Sequence, residues 1–192
     1  MVRRTDTRQR MLDTAAELFH TQGYHATGLN QLVRAGGAPK GSLYFHFPGG
    51  KEQLAAEALL VSSAQLCDGL RTLITQAPDA ASGIEAVVNA LAQEMLNSDF
   101  QRGCPLATVA LEVASESELI RRSCADGYDS WHDVLAEYFV AQGLSVDKAA
   151  GLTTVVLASI EGGLLLAKTK KDIAPLRAIS DHLRATVERE LT

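Results

Sequence analysis

Apolar residues recur at three- and four-residue spacing along almost the whole chain, and that regularity excludes most folds. Met11, Leu12, Ala15, Ala16, Leu18 and Phe19 form one such set; Ile84, Val87, Val88, Leu91 and Met95 form another; Leu176, Ile179, Leu183 and Val187 form a third, at roughly coiled-coil spacing. No stretch requires a strand or a hairpin. Hydrophobic residues make up 46% of 192, enough for a sizeable core, while aromatics are only 5%. The expected fold class is all-α.

Local signals divide the chain. Thr5 or Asp6 can cap a first helix, which Gly23 ends. Thr27 can cap a short second helix over 29–35, and Gly36-Gly37 supplies a turn. Pro39 suits the first position of a third helix carrying 40–45. Pro48-Gly49-Gly50 break the chain before a long helix over 51–76. Pro78 precedes a helix over 80–97, and 100–105 is a loop. Helices over 106–114, 117–141 (stopped by Gly143), 145–168 and 172–191 complete the reading. The expected domains are residues 1–50, three helices including a helix-turn-helix, and residues 51–192, a helical body.

The net charge of −5 conceals an asymmetry. Residues 1–51 carry +4 and the remainder −9, so the N-terminal part is the one suited to a polyanion. Cys67, Cys104 and Cys124 are odd in number and widely spaced, which argues for reduced thiols in a cytoplasmic protein and against a zinc ribbon or disulfide framework. No signal peptide is visible, because 3–10 is polar with no apolar run behind it. The most apolar stretch, 151–167, contains Glu161 and three glycines and is shorter than a ~20-residue span, so it reads as a buried helix rather than a membrane segment.

Two short helices joined by a glycine turn, behind a longer supporting helix, fit a helix-turn-helix whose second member enters the major groove of DNA. Pro39, Lys40 and Ser42 would then face base edges or phosphates, and Gly41 would let the backbone come close. Tyr44 offers a hydroxyl and His46 a ring nitrogen to phosphate oxygens. Thr27 and Lys51 each stand at a helix start, where free N–H groups favour an anion. Leu43, Phe45 and Phe47 are expected in the core. Taken singly, His46 is equally a surface histidine, Lys51 a solvated lysine and Thr27 only a cap; the order and spacing together carry the reading.

Gly23-Tyr24-His25-Ala26-Thr27, then Gly36-Gly37-Ala38-Pro39-Lys40-Gly41-Ser42-Leu43-Tyr44-Phe45-His46-Phe47, then Lys51-Glu52-Gln53-Leu54, resembles the DNA-binding domain of TetR-family transcriptional regulators over residues 6–55. The resemblance implies DNA contacts at Thr27, Lys40, Gly41, Tyr44, His46 and Lys51. Two departures stand out: Gly36-Gly37 where Ala-Gly is usual, and an extra glycine in Pro48-Gly49-Gly50 that displaces Lys51 by one residue. Pro-Gly-Gly-Lys, with Arg102-Gly103-Cys104-Pro105-Leu106 later, resembles the LmrA/YxaF branch. Membership implies control of efflux or catabolic genes in response to small, often aromatic compounds.

The resemblance further implies a helical C-terminal half that holds a small-molecule inducer and forms a homodimer. Val155, Ala158, Ser159, Gly162 and Gly163 give one helix a small-residue face, and Leu176, Ile179, Leu183 and Val187 stripe the last helix. Two such helices from each subunit would make a four-helix interface; alternatively both stripes pack within one subunit. Candidate pocket residues are Leu66, Leu70, Leu91, Met95, Cys104, Thr108, Leu111, Glu112, Trp131, Leu135, Glu161 and Leu164, for most of which ordinary core is the alternative. Glu112 and Glu161 lie within apolar runs and suit recognition of a polar or cationic ligand.

No HExxH, Walker lysine loop, GxSxG or dinucleotide fingerprint is present, and Gly50-Lys51 is followed by Glu52 rather than Ser or Thr. Cys104 and His132 coexist as a possible nucleophile and base. An enzyme is not expected, and neither a cofactor nor a metal site is called for. A helical adaptor without DNA binding would leave Tyr44, His46 and the N-terminal arginines without a shared purpose. The expected function is a ligand-responsive regulator of transcription, a repressor acting as a dimer on a palindromic operator.

Overall fold

The computed structural model describes residues 4–37 and 40–192, with the side chains of 4–6 and 40 outside the description. It is all-helical among those residues: α1 (Arg4–Gln22), α2 (Leu29–Ala35), α3 (Lys40–His46), α4 (Gly50–Gln76), α5 (Ala80–Asn97), α6 (Pro105–Val113), α7 (Glu118–Ala141), α8 (Val146–Lys170) and α9 (Ala174–Leu191). The helix ends follow local chemistry. Gly23 stops α1 at φ +81, a conformation an L side chain rarely adopts, and its N–H bonds the Phe19 carbonyl at 3.0 Å. Asp79 caps α5 by accepting from Ser82 N at 2.7 Å, which holds its carboxyl below the usual carboxylate range. Ser117 Oγ accepts from Ile120 N at 3.1 Å ahead of α7. Thr5 and Asp6, expected as caps, lie within α1 instead, with their side chains outside the description.

The chain forms two compact units, Met1–Ala64 with Cys104–Tyr128 and Gln65–Gly103 with Asp129–Thr192. In the first, α1 packs on α2 and α6, and α2 on α3. Its core includes Met11, Phe19, Leu32, Leu43, Phe47, Leu54, Leu59, Leu106, Val109 and Ile120, all buried.

In the second unit α9 packs along α5 and α8, and α5 also meets α8. Leu176, Leu183 and Val187 are wholly buried there. The stripe of the last helix therefore belongs to its own subunit, which corrects its expected use between subunits. Gly163 lets α9 approach α8: a Cβ there would lie 2.7 Å from Ile179 Cδ1 and 2.9 Å from Leu176 Cδ2.

The apolar helix α8 is long and apolar enough to cross a membrane, and it is only half the buried helix expected. Leu152, Val156, Ile160, Leu164 and Ala167 face inward. Gly151, Val155, Ala158, Gly162, Leu165 and Leu166 are exposed. All three cysteines are buried and free of disulfides, and burial pushes the Cys124 thiol up to about 11.

Candidate nucleic-acid interface

Helix α3 has two unlike sides. Leu43 and Phe47, four residues apart, point into the first unit and are fully buried. Gly41, Tyr44 and Phe45 face outward, with Tyr44 58% and Phe45 59% exposed. Phe45 is thus not core, contrary to expectation. At 3.6 residues per turn it stands on the far side from Leu43 and Phe47, two positions from each. Ser42 and His46 lie between the two sides, half-buried. The His46 ring sits edge-on to Phe45 (centroids 5.0 Å apart) and to Phe47 (6.4 Å). Pro39 lies outside the described residues, as does the Lys40 side chain.

Two residues expected to contact phosphate, Thr27 and Lys51, make internal hydrogen bonds. Thr27 has no exposed surface; its hydroxyl donates to the Gly23 carbonyl at 2.7 Å. It ties the α1–α2 turn internally, while Gly28 takes the N-cap position of α2 without a side-chain bond. Lys51 is one residue inside α4, and its Nζ donates to the Tyr24 carbonyl at 2.6 Å while lying 4.1 Å from the centre of the Tyr24 ring. Burial lowers its pKa, against the opposing pull of Glu112. Tyr24 in turn stacks on Phe19 at 5.8 Å. Burial, then Glu52 and Glu116, raise its phenol pKa.

The extra glycine explains the local path. Gly50 adopts φ +68, and a Cβ on it would lie 3.4 Å from the Tyr44 ring, so the turn closes beneath an exposed tyrosine. Gly49 N–H is satisfied by Gln53 Oε1 at 2.8 Å.

The residues that brace this unit were not legible as such. Glu112, expected in a ligand pocket, accepts the His25 backbone N–H at 2.8 Å, and a Cβ on Gly23 would lie 2.0 Å from its Oε1. Arg8 pairs with Glu57, and its guanidinium lies 5.0 Å from the Phe47 ring centre. Ser117 pairs with Glu52. Each joins residues far apart in the chain, and only the paired aromatic and charged types hint at them.

The twelve pocket candidates are divided between the two units. Cys104, Thr108, Leu111 and Glu112 belong to the first unit and the other eight to the second. Leu111 is 81% exposed, and Leu66 is also exposed. Cys104 caps α6 by accepting from Ala107 N, its sulfur lies 3.6 Å from the Tyr128 hydroxyl, and Thr108 Oγ1 donates to its carbonyl. Met95, Trp131, Leu135 and Leu164 are buried in the second unit, while Leu70, Leu91 and Glu161 are half-buried. His132 Nε2 lies 3.2 Å from the Ala150 carbonyl.

Three helices within a basic N-terminal stretch, residues 1–51 carrying +4, with an exposed aromatic face on the third, define the class: a helix-turn-helix DNA-binding regulator. A family model for bacterial regulatory proteins of the tetR family matches residues 11–58. A second, for the C-terminal domain of LmrA/YxaF-like transcriptional regulators, matches residues 80–182. The HTH-type transcriptional regulator LmrA of Bacillus subtilis (strain 168) is 39% identical over 184 residues, covering 96% of this chain and 98% of its own. The uncharacterized HTH-type transcriptional regulator YxaF of the same strain is 37% identical over 190 residues, covering 99% and 100%. Among solved structures, a TetR transcriptional regulator from Chloroflexus aurantiacus J-10-FL shares the fold with a TM-score of 0.80 at 24% identity, covering 99% of this chain and 98% of its own. The chain belongs to the TetR family of transcriptional regulators, on its LmrA/YxaF-like branch, and these are not enzymes.

Proposed function

We propose that this protein is a repressor that binds a palindromic operator as a homodimer and leaves it when a small molecule binds the C-terminal half. The observation that carries the DNA reading is the outward face of α3, where Gly41, Tyr44 and Phe45 stand clear of a core locked by Leu43 and Phe47. Residues 1–50 act as the reading head and 51–192 as the sensing and dimerising body. Pro39, Lys40, Gly41, Ser42, Tyr44 and His46 meet the DNA; most of these contacts position the head, and few specify sequence.

The dimer reading rests on the open side of α8. Gly151, Val155, Ala158 and Gly162 form a small apolar stripe that a second copy can cover, alongside the outward Ala174, Ala178 and Ala185 of α9. Two heads then lie about one DNA turn, ~34–36 Å, or somewhat more apart. A dimer seated on the operator blocks transcription by occupying it. Release requires the inducer to bind the free state more tightly than the DNA-bound state, and DNA must then weaken inducer binding by the same factor. A cytoplasmic location follows from this work on DNA.

A gel shift against the DNA flanking the protein's own gene tests the reading. A specific shift that Val155→Glu abolishes by splitting the dimer, seen by sedimentation, is expected. A monomeric wild-type protein, or the absence of a specific shift at physiological salt, rejects it.

A further inference from the structure

We infer that Phe45 is a specificity-determining residue, whose ring packs on a thymine methyl group in the major groove; this rests on the DNA reading proposed above. Three features of α3 point there. Phe45 is the most outward large apolar side chain on the helix, 59% exposed beside Tyr44. Gly41, one turn earlier on the same side, has nothing within 4 Å of where a Cβ would stand, so the helix can approach a surface closely at that point. The edge-on His46 ring, 5.0 Å away at 77°, limits the positions open to the Phe45 ring before anything is bound.

The chemistry selects the base. A phenyl ring donates and accepts no conventional hydrogen bonds, so covering the N7, O6 or O4 acceptors or the amino donors of base edges strips their water without replacement. The one apolar group that the four standard bases expose in the major groove is the thymine C5-methyl. A ring at this position therefore favours thymine at one position of each half-site and tolerates the other bases poorly. Tyr44, with its hydroxyl, remains free to reach a phosphate oxygen from the adjacent position.

The test uses the full chain and a pool of random-sequence duplexes. Rounds of selection give the wild-type binding motif, and each thymine in it is then replaced singly by uracil, which removes only the methyl group. One symmetry-related thymine per half-site is expected to weaken binding roughly fourfold on losing its methyl. Selection with Phe45→Ala should lose the thymine preference at that position alone, and Phe45→Leu should keep part of it. The uracil arm uses unaltered protein and so does not depend on the variants folding. Uracil replacement without effect at every thymine, or a Phe45→Ala motif identical to the wild-type one, overturns the assignment. A wild-type protein that enriches no sequence defeats the DNA reading itself, which is a separate and recognisable failure.

Discussion

Replacing Gly23 by alanine should expose how α6 holds the end of α1. Two effects combine. An alanine forced to remain at φ +81 is destabilised by about 1–2 kcal/mol. Its Cβ would also lie 2.0 Å from Glu112 Oε1, so the carboxylate must withdraw and release the His25 N–H it accepts at 2.8 Å. That bond is exposed to solvent, so its loss costs about 1 kcal/mol rather than the larger value of a buried charged bond. A less flexible unfolded chain returns about 0.5 kcal/mol, leaving a net destabilisation of about 2 kcal/mol. Once Glu112→Ala has removed both the obstacle and the bond, Gly23→Ala should retain only the backbone cost. The two substitutions should therefore be less than additive by about 1 kcal/mol, beyond the ~0.5 kcal/mol scatter of independent sites. Amide hydrogen exchange is the suitable assay, because the His25 N–H reports the bond directly and the amides of α1 report the stability of this unit by itself. Its protection should fall in either single variant and fall no further in the double. Strict additivity, or a His25 amide indifferent to Glu112→Ala, would refute the reasoning.

Two threonine-to-valine substitutions should move stability in opposite directions. Thr27→Val deletes a buried hydroxyl that bonds the Gly23 carbonyl at 2.7 Å, and should destabilise by about 1–2 kcal/mol in denaturant titration. Thr153→Val deletes a buried hydroxyl with no hydrogen-bond partner, and should raise the melting temperature by about 2–4 °C, as expected for about 1 kcal/mol in a chain of this size. The thiols should be sluggish: Cys67, Cys104 and Cys124 are buried, and the Cys124 pKa of about 11 leaves little thiolate at pH 8. An aromatic disulfide reagent should label the native protein slowly and reach three equivalents per chain only after denaturation.

Helix identities and ends were largely legible because their causes are local. Gly23, Gly143 and the Asp79 cap act within a turn of their own positions, and sequence carries that information directly. Ambiguity began where a periodic stripe says that a face is buried without saying against what. Leu176, Leu183 and Val187 read equally as an interface between copies or as a packing face within one subunit; α5, some ninety residues earlier, decided it. Phe45 was expected in the core with Leu43 and Phe47, whereas helical geometry places it on the opposite side from both. Glu112 was beyond reach in a different way. An acid in an apolar run suggests a buried recognition group, and only the fold brings it to the backbone of His25, 87 positions away.

The pairing of α5 with α9 also sets an order on biosynthesis. The buried face of α5, including Ile84, Val88 and Met95, leaves the ribosome well before α9 has been translated. Until Leu176, Leu183 and Val187 arrive, the second unit lacks the helix that packs along it, and its nascent form exposes apolar surface attractive to chaperones and to other unfinished copies. A substitution at Gly163 that blocks the docking of α9 would therefore lower the yield of folded protein during synthesis, before any effect on the finished molecule could be measured.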